Sequence, residues 1–250
     1  MRVAVMSPTY NERENINRFL SGVRAAVPHA DVFIVDDDSP DGTAAYVSEW
    51  AARDPGVHLL LRQGPRGYAE ASREGLSVIA DKGYDVIVTI DCDLSHNPLV
   101  IPRMLEHISA GADVVIGSRY VKGGGVQNWS LFRRALSRWG NLYTAFMLGV
   151  AVRDCTSGFR AYRGDVIRNG VVGTTTSSGY AFLSEVLVRL SNNPRISIVE
   201  TPIVYLDRTA GESKMNKTII GESMRLVTSW GLSRFISSFS GAQERRSDNY

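Results

Sequence analysis

The sequence predicts an α/β fold, in which a mostly parallel sheet is flanked by helices and followed by a C-terminal helical elaboration. Three observations support this prediction. Short β-branched runs alternate with segments of helical apolar spacing throughout residues 1–117. The chain has 250 residues, which suits one large α/β domain, and no internal repeat divides it. Its hydrophobic fraction of 44% and charged fraction of 22% are ordinary for a globular domain.

The elements of the alternating part are short, and turn-forming residues separate them. The first strand covers residues 2–6 and ends at Ser7 and Pro8. The first helix covers residues 11–26, and its apolar face consists of Ile16, Phe19, Leu20 and Val23. Further strands are predicted at residues 31–35, 57–61, 85–90 and 113–116, and further helices at residues 44–52, 68–80 and 98–110.

The alternation ends after residue 117. Helices are predicted at residues 129–150 and 218–239, a strand with a break at Pro202 at residues 196–206, and a polar tail at residues 243–250. Arginines beside an aromatic and aliphatic stretch, as at Arg134 and Arg138, are typical of helices that lie on anionic lipid. A helix in the core of the domain explains the same pattern equally well.

Charge, cysteine content and hydropathy exclude several classes of protein. The formal net charge of +2 gives no reason to expect nucleic acid as a partner. The two cysteines, Cys92 and Cys155, lack metal or disulfide spacing, which favours a reducing compartment. Neither a membrane-spanning run nor a signal peptide is evident in the sequence. We therefore expect a cytoplasmic protein.

Acidic residues follow two of the predicted strands. Residues Asp36, Asp37 and Asp38 come after the second strand, and Asp91 and Asp93 come after the fourth. Ligands of open α/β sheets bind at the carboxyl ends of the strands. An Asp-x-Asp pair offers the hard oxygens with which Mg²⁺ or Mn²⁺ is held beside phosphate groups. Turns and helix caps are the alternative, and they explain the first cluster about as well as ligand binding does.

Cationic side chains are predicted to lie near the same edge. Arg119 follows the fifth strand, and Arg133, Arg134 and Arg138 belong to the next helix. Arg208 and Lys214 lie on a later glycine-containing loop. Arginine suits bidentate phosphate binding and lysine supplies a mobile charge. A solvated surface is the alternative interpretation, and it fits Arg134 and Arg138 best and Arg119 least.

Seven motifs occur in order between residues 1 and 217. They are Pro8-Thr-Tyr-Asn-Glu12, Val35-Asp-Asp-Asp-Ser-Pro-Asp-Gly-Thr43, Asp91-Cys-Asp-Leu-Ser-His-Asn-Pro98, Gly117-Ser-Arg-Tyr120, Asp154-Cys-Thr-Ser-Gly-Phe-Arg160, Gly179-Tyr-Ala-Phe182 and Asp207-Arg-Thr-Ala-Gly-Glu-Ser-Lys214. Together they resemble the polyprenol (dolichol) phosphate mannose synthases, which are inverting glycosyltransferases of family 2 with the GT-A fold. The resemblance implies a catalytic domain over residues 1–217, followed by an amphipathic helix and polar tail over residues 218–250.

The resemblance also implies a reaction and a set of site residues. Mannose would pass from GDP-mannose to a polyprenyl monophosphate in the presence of Mg²⁺ or Mn²⁺. Donor contacts would come from Pro8, Tyr10, Glu12, Asp37, Asp91, Cys92, Asp93, Arg208 and Lys214. The metal would be held by Asp91, Asp93 and Ser95. The acceptor phosphate would be held by Arg119, Arg133 and Ser137, and the catalytic residues would be Asp91, Asp93 and Arg119.

The reaction explains why the sequence needs no evident general base. A phosphate monoester is largely dianionic at neutral pH, because its second pKa is near 6. It can attack the anomeric carbon directly. We expect the enzyme to be peripheral on the cytoplasmic face of a membrane, alone or docked on a membrane-anchoring protein partner. The alternatives are the same chemistry with another sugar, such as glucose, an inverting glycoside hydrolase, and a catalytically silent sugar-nucleotide-binding protein.

Overall fold

The computed structural model describes residues 1–179, 181–207 and 221–234 of the chain. Its strands in chain order are β1 (Val3–Thr9), β2 (Asp31–Asp36), β3 (Val57–Leu61), β4 (Val86–Thr89), β5 (Val114–Ser118), β6 (Gly125–Val126), β7 (Arg160–Arg163), β8 (Ile198–Pro202) and β9 (Val204–Tyr205). Seven of them form one sheet in the order β3-β2-β1-β4-β7-β5-β8, and β6 pairs with β9 separately. The predicted break near Pro202 is confirmed, because β8 and β9 belong to different sheets.

The large sheet is parallel except at β7, which runs antiparallel to both β4 and β5. The strand order reverses at β1, since β2 and β3 lie on one side of it and β4 lies on the other. Thr9 at the end of β1 pairs with Asp36 of β2, and Met6 pairs with Thr89 of β4. A reversal of this kind opens a crevice at the carboxyl ends of the neighbouring strands. The predicted mostly parallel sheet is confirmed.

Helices cover both faces of the sheet. They are α1 (Ile16–Ala26), α2 (Thr43–Ala51), α3 (Tyr68–Asp81), α4 (Ile101–Ser109), α5 (Leu131–Leu148), α6 (Gly164–Arg168) and α7 (Ala181–Ser191). One apolar cluster joins α1, α2 and α4 to the sheet, and a second joins α3, α6, α7 and the end of α5 to the opposite face. Side chains of a strand alternate between faces, so Val5 belongs to the first cluster and Met6 to the second.

Four elements of the structure are absent from the sequence prediction, namely β6, β7, α6 and α7. The segment of β7 carries two arginines in four residues and does not resemble a buried strand. In the structure Arg160 is fully buried, and its guanidinium donates to the carbonyls of Cys155, Ser157 and Leu183. These three bonds satisfy the charged group without a carboxylate. Helix α7 was also unpredicted, because its apolar residues follow a run rich in threonine and serine.

Residues 221–234 form a further helix, named α8 here, which packs on the end of α5. The hydroxyls of Tyr143 and Thr228 are 2.6 Å apart, and Val227 is buried in the second apolar cluster. The remainder of the predicted helix at 218–239 and the predicted tail at 243–250 lie outside the described residues. None of the described helices combines the length and the hydropathy needed to span a bilayer. The division at residues 217 and 218 stays a prediction.

Candidate active site

A cavity of about 440 Å³ opens at the carboxyl ends of β1, β2 and β4. The predicted donor-contacting residues in the described part of the chain all line it. These are Pro8, Tyr10, Glu12, Asp37, Asp91, Cys92 and Asp93. The sheet topology explains the convergence, since β1 lies between β2 and β4 and the switch in strand order leaves a crevice there. Residues separated by up to 85 positions in the sequence therefore face one space.

In the acidic segment at residues 36–41, some carboxylates hold the turn and one lines the cavity. Asp36 is fully buried and accepts hydrogen bonds from the hydroxyl of Thr9 and from the backbone and hydroxyl of Ser39. Asp41 accepts from the backbone and hydroxyl of Thr43. These two residues form the turn, as the structural alternative predicted, whereas Asp37 lines the cavity.

Asp37 also holds one wall of the cavity. One of its carboxylate oxygens pairs with the buried guanidinium of Arg62, and the other accepts a hydrogen bond of 2.8 Å from the backbone of Gly67. Arg66, on the same loop, donates to the hydroxyl of Tyr10 across the cavity mouth at 3.1 Å. The sequence analysis had assigned no role to Arg62 or Arg66. The glycine-flanked loop before α3 was the available signal.

Asp91 and Asp93 occupy the floor of the cavity. The ring nitrogen Nδ1 of His96 is 3.7 Å from a carboxylate oxygen of Asp91, and the His96 ring is buried between Phe159 and Tyr205. His96 is thus a buried group that packs beside the site. Cys92 is buried in the apolar cluster under α1 and α4, because side chains of an extended segment alternate between its two faces.

Gly158 permits a close approach at the same floor. A Cβ atom at this position would lie 2.6 Å from the hydroxyl of Tyr68 and 3.5 Å from a carboxylate oxygen of Asp91. The carbonyl of Gly158 accepts a hydrogen bond of 2.7 Å from the hydroxyl of Thr89 in β4. The glycine is thus fixed against the sheet with its open side toward Tyr68 and Asp91.

The residues of the floor fit a divalent cation. Asp91 and Asp93 present carboxylate oxygens in a cavity large enough for a nucleotide, and two carboxylates with substrate phosphates are a usual shell for Mg²⁺. Among the described residues, no histidine, cysteine, aspartate or glutamate adds to Asp91 and Asp93 to make a group of three side chains that could hold a metal ion. Ser95 is fully buried, does not line the cavity, and its hydroxyl has no hydrogen-bond partner among the residues described. Its part in metal binding stays a prediction.

Arg119 is held by a buried carboxylate. Asp154 is fully buried and accepts three hydrogen bonds from Arg119, at 2.9 Å from the backbone, 2.7 Å from Nε and 2.6 Å from Nη2. Burial alone would raise the pKa of Asp154, but the charge and hydrogen bonds of Arg119 outweigh it and lower that pKa. Burial likewise opposes the charge of Arg119, and Asp154 outweighs this effect and raises the arginine pKa.

A polar network connects this pair to α5. Nη2 of Arg119 donates to the hydroxyl of Thr156 at 2.7 Å. Asn141 of α5 is buried, contacts Thr156, and accepts a bond of 2.8 Å from the backbone of Cys155. The hydroxyl of Tyr120 donates to Ser137 of α5 at 2.7 Å. The sequence analysis quoted the motif at residues 154–160 without a role. The structure shows that it fixes the Arg119 side chain.

The predicted acceptor residues Arg119, Arg133 and Ser137 lie around one end of α5 but do not share a single cavity. Arg133 pairs with Asp207 at 3.2 Å and stacks on the ring of Trp129. A second cavity of about 330 Å³ is lined by Arg119, Tyr120, Gly124, Gly125, Val126, Arg134, Ala135 and Arg138. Arg134 and Arg138 are both exposed, as the interpretation of a solvated surface predicted, and they lie at the rim of this cavity. Arg208 and Lys214 lie outside the described residues.

Comparison with known proteins now assigns the family. The profile described as glycosyl transferase family 2 matches residues 4–170. The chain belongs to this family. It is thus a glycosyltransferase, as the motifs predicted.

Curated relatives of this glycosyltransferase cover almost its whole length. An undecaprenyl-phosphate mannosyltransferase from Micrococcus luteus is 44% identical over 93% of the chain and 95% of the relative. A polyprenol monophosphomannose synthase from Mycolicibacterium smegmatis is 42% identical over 92% of the chain and 87% of the relative. The predicted resemblance to polyprenol phosphate mannose synthases is confirmed.

Solved structures support the fold. A glucosyl-3-phosphoglycerate synthase from Mycobacterium tuberculosis, crystallised with Mn²⁺, UDP and phosphoglyceric acid, matches with a TM-score of 0.64. The match covers 93% of this chain and 78% of that one at 20% identity. The GT-A fold predicted from the motifs is confirmed.

Proposed function

We propose that this glycosyltransferase moves mannose from GDP-mannose to a polyprenyl monophosphate, with inversion at the anomeric carbon. The observation that carries the proposal is the convergence of the seven described donor-motif residues on one cavity. The names of the two curated relatives agree with it, since both are described as mannose-transferring enzymes with polyprenyl acceptors.

The larger cavity would hold the donor. Tyr10, Glu12 and Asp37 would contact the guanosine part, and the rim cation Arg66 would approach the same ligand. Asp91 and Asp93 would hold Mg²⁺ or Mn²⁺, which, when bound, offsets negative charge on the diphosphate. Arg208 and Lys214 would add cationic charge to the donor phosphates. Cys92 would contact the donor through its backbone, because its side chain is packed in the core.

The acceptor phosphate would attack from the side of Arg119. Its dianionic oxygen would displace GDP from the anomeric carbon on the opposite face, without a general base. Arg119, Arg133 and Ser137 would orient this phosphate and reduce its repulsion from the donor phosphates. The rigid contact between Arg119 and Asp154 supports this role, because a fixed guanidinium orients a phosphate without losing side-chain freedom on binding.

A membrane surface is the proposed location of the acceptor. The outward face of α5 carries large exposed apolar side chains, among them Leu131 and Phe132, which are 80% and 77% exposed. The remaining members of this face are Leu136, Trp139, Leu142 and Phe146. An amphipathic helix of this kind lies in the headgroup region of a bilayer. We place the enzyme on the cytoplasmic face, where a separate membrane-anchoring protein is a second means of attachment.

A donor panel with extraction of the lipid product tests the proposal. The purified chain is incubated with labelled GDP-mannose, GDP-glucose or UDP-glucose and a polyprenyl phosphate in neutral detergent, and the label in the organic phase is counted. We expect transfer from GDP-mannose, its loss in EDTA and its return with Mg²⁺ or Mn²⁺. Transfer from another donor alone would reassign the sugar. Donor binding without turnover would identify a silent binding protein, and acceptor-independent hydrolysis that survives EDTA would identify a hydrolase.

A further inference from the structure

We infer that Glu185 of α7 and Arg73 of α3 are positioning residues, which hold the segment at residues 174–179 against the sugar of the donor. Ser178 and Gly179, at the end of this segment, line the larger cavity. The inference deepens the proposed function and rests on it for the presence of a sugar nucleotide in that cavity. Neither Glu185 nor Arg73 lines the cavity, so both act through the segment.

The carboxylate of Glu185 is the first observation. Its residue is 4% exposed, and it accepts hydrogen bonds from the backbone of Thr176 at 3.0 Å and of Ser177 at 2.8 Å. Arg189, one turn further along α7, donates to the same carboxylate at 2.7 Å. Burial alone would raise the pKa of Glu185, but these hydrogen bonds outweigh it and lower that pKa. One ionised side chain thus holds two successive backbone amides of the segment.

The same segment is also held from α3. Nε of Arg73 donates to the hydroxyl of Thr175 at 3.0 Å, and Nη2 of Arg73 donates to the carbonyl of Ser177 at 3.0 Å. On the other side, Nη1 of Arg189 donates to the hydroxyl of Thr174 at 2.7 Å. Both helices pack on the sheet through the second apolar cluster. A segment tied to two such helices is preorganised at its cavity end.

The hydroxyl of Ser178 is available to a ligand at that end. The residue is exposed, and its side chain forms no hydrogen bond with another of the residues described. Gly179 follows with a φ of +56°, a left-handed conformation that turns the chain toward α7. A hydroxyl both donates and accepts hydrogen bonds. This chemistry suits the hydroxyl groups of a sugar, which do the same.

The order of the strands places this end of the segment beside the sugar. The predicted donor residues follow β2, β1 and β4, and β7 is the next strand of the sheet. Arg160 of β7 pairs with Thr89 of β4 and donates to the carbonyl of Leu183, in the first turn of α7, at 3.0 Å. The segment before α7 therefore lies beyond Asp91 and Asp93 as seen from β2. Because a diphosphate separates nucleoside from sugar, a nucleoside near β2 and a diphosphate at these aspartates leave the sugar over β7.

Three variants and two controls test the inference. Glu185→Gln and Arg73→Gln remove the charges that hold the segment, and Ser178→Ala removes the exposed hydroxyl. The matched controls are Glu49→Gln and Arg53→Gln, because these residues form an exposed acid–arginine pair one turn apart, outside the cavity. Thermal unfolding is compared first. If Glu185→Gln does not fold, Arg73→Gln still tests the positioning from the other side of the segment.

Isothermal titration calorimetry measures the dissociation constants of GDP-mannose and of GDP, with Mg²⁺ and without acceptor. We expect each of the three variants to weaken GDP-mannose about fivefold or more and to change GDP by less than about twofold, because only the sugar reaches the segment. A purely structural role would weaken both ligands alike or neither. The inference is wrong if the ratio of the two constants is unchanged in the positioning variants or in Ser178→Ala, or if a control shifts it as much.

Failure of the inference and failure of the proposed function give different results. Binding needs neither acceptor nor turnover, so a parent chain that binds GDP-mannose without transferring it would refute the proposed function and leave this test intact. UDP-glucose and UDP form a second pair of ligands, so a different donor is tested in the same way. A parent chain that binds neither pair would overturn the inference as well.

Discussion

The pairing of Arg119 with Asp154 leads to the sharpest prediction, namely the effect of Asp154→Asn. The substitution keeps the shape of the side chain but removes the charge that faces Arg119. The two side chains are only 10% and 0% exposed, so water screens the loss poorly. Removing one partner of a buried ion pair costs about 3–5 kcal/mol, and three hydrogen bonds from Arg119 are weakened here. Because asparagine still accepts a hydrogen bond, we expect a loss of about 3 kcal/mol.

The assay is urea unfolding at neutral pH with acceptor kinetics on the same protein. We expect the acceptor KM to rise about tenfold and the donor KM to stay unchanged, since a mobile Arg119 no longer orients the acceptor phosphate. The matched control is Asp165→Asn, which removes an exposed partner of Arg163 and is expected to cost less than about 1 kcal/mol.

A double-mutant cycle separates pairing from general damage. In Arg119→Gln/Asp154→Asn both charges are absent, so we expect the double variant to be more stable than the sum of the single losses predicts, by about 1 kcal/mol or more. Additive losses together with an unchanged acceptor KM would refute the argument, because Asp154 would then contribute only packing.

Further predictions concern the donor cavity and pH. Asp93→Ala should abolish transfer and leave thermal unfolding nearly unchanged; full activity would exclude this carboxylate from metal binding. Gly158→Ala should raise the donor KM about tenfold, which corresponds to about 1.4 kcal/mol. The reason is that the added Cβ would lie 2.6 Å from the Tyr68 hydroxyl. The control is Gly173→Ala, because an added Cβ there would meet nothing within 4 Å. The pKa of Asp154 is lower in the folded chain than its ordinary 3.8, so its stabilisation is complete above 3.8 and is lost as pH falls through the folded value. Acid titration should therefore show a decline in stability below pH 3.8 that is reduced in Asp154→Asn.

Much of the fold was predictable because strand and helix periods differ and alternate. All four residues of the buried strand at 86–89 are β-branched, and the residues after its end line the larger cavity. The convergence of the seven predicted donor residues on one cavity was also predictable, since motifs at strand ends converge wherever parallel strands share an edge.

The unpredicted parts depend on contacts between distant residues. No local pattern shows that Arg160 would be buried and satisfied by three carbonyls. The role of Asp154 depends on a partner 35 residues away in the sequence.

The segment at residues 154–160 has a consequence for engineering this enzyme. Its first residue holds Arg119, its fifth approaches Tyr68 beside Asp91, and its last enters the sheet between β4 and β5. A shift in its backbone path would therefore displace Arg119 and the wall beside Asp91 together. Libraries that seek new acceptors should therefore leave these seven positions fixed and vary the outer surface of α5, where side chains can change without moving the nucleotide cavity.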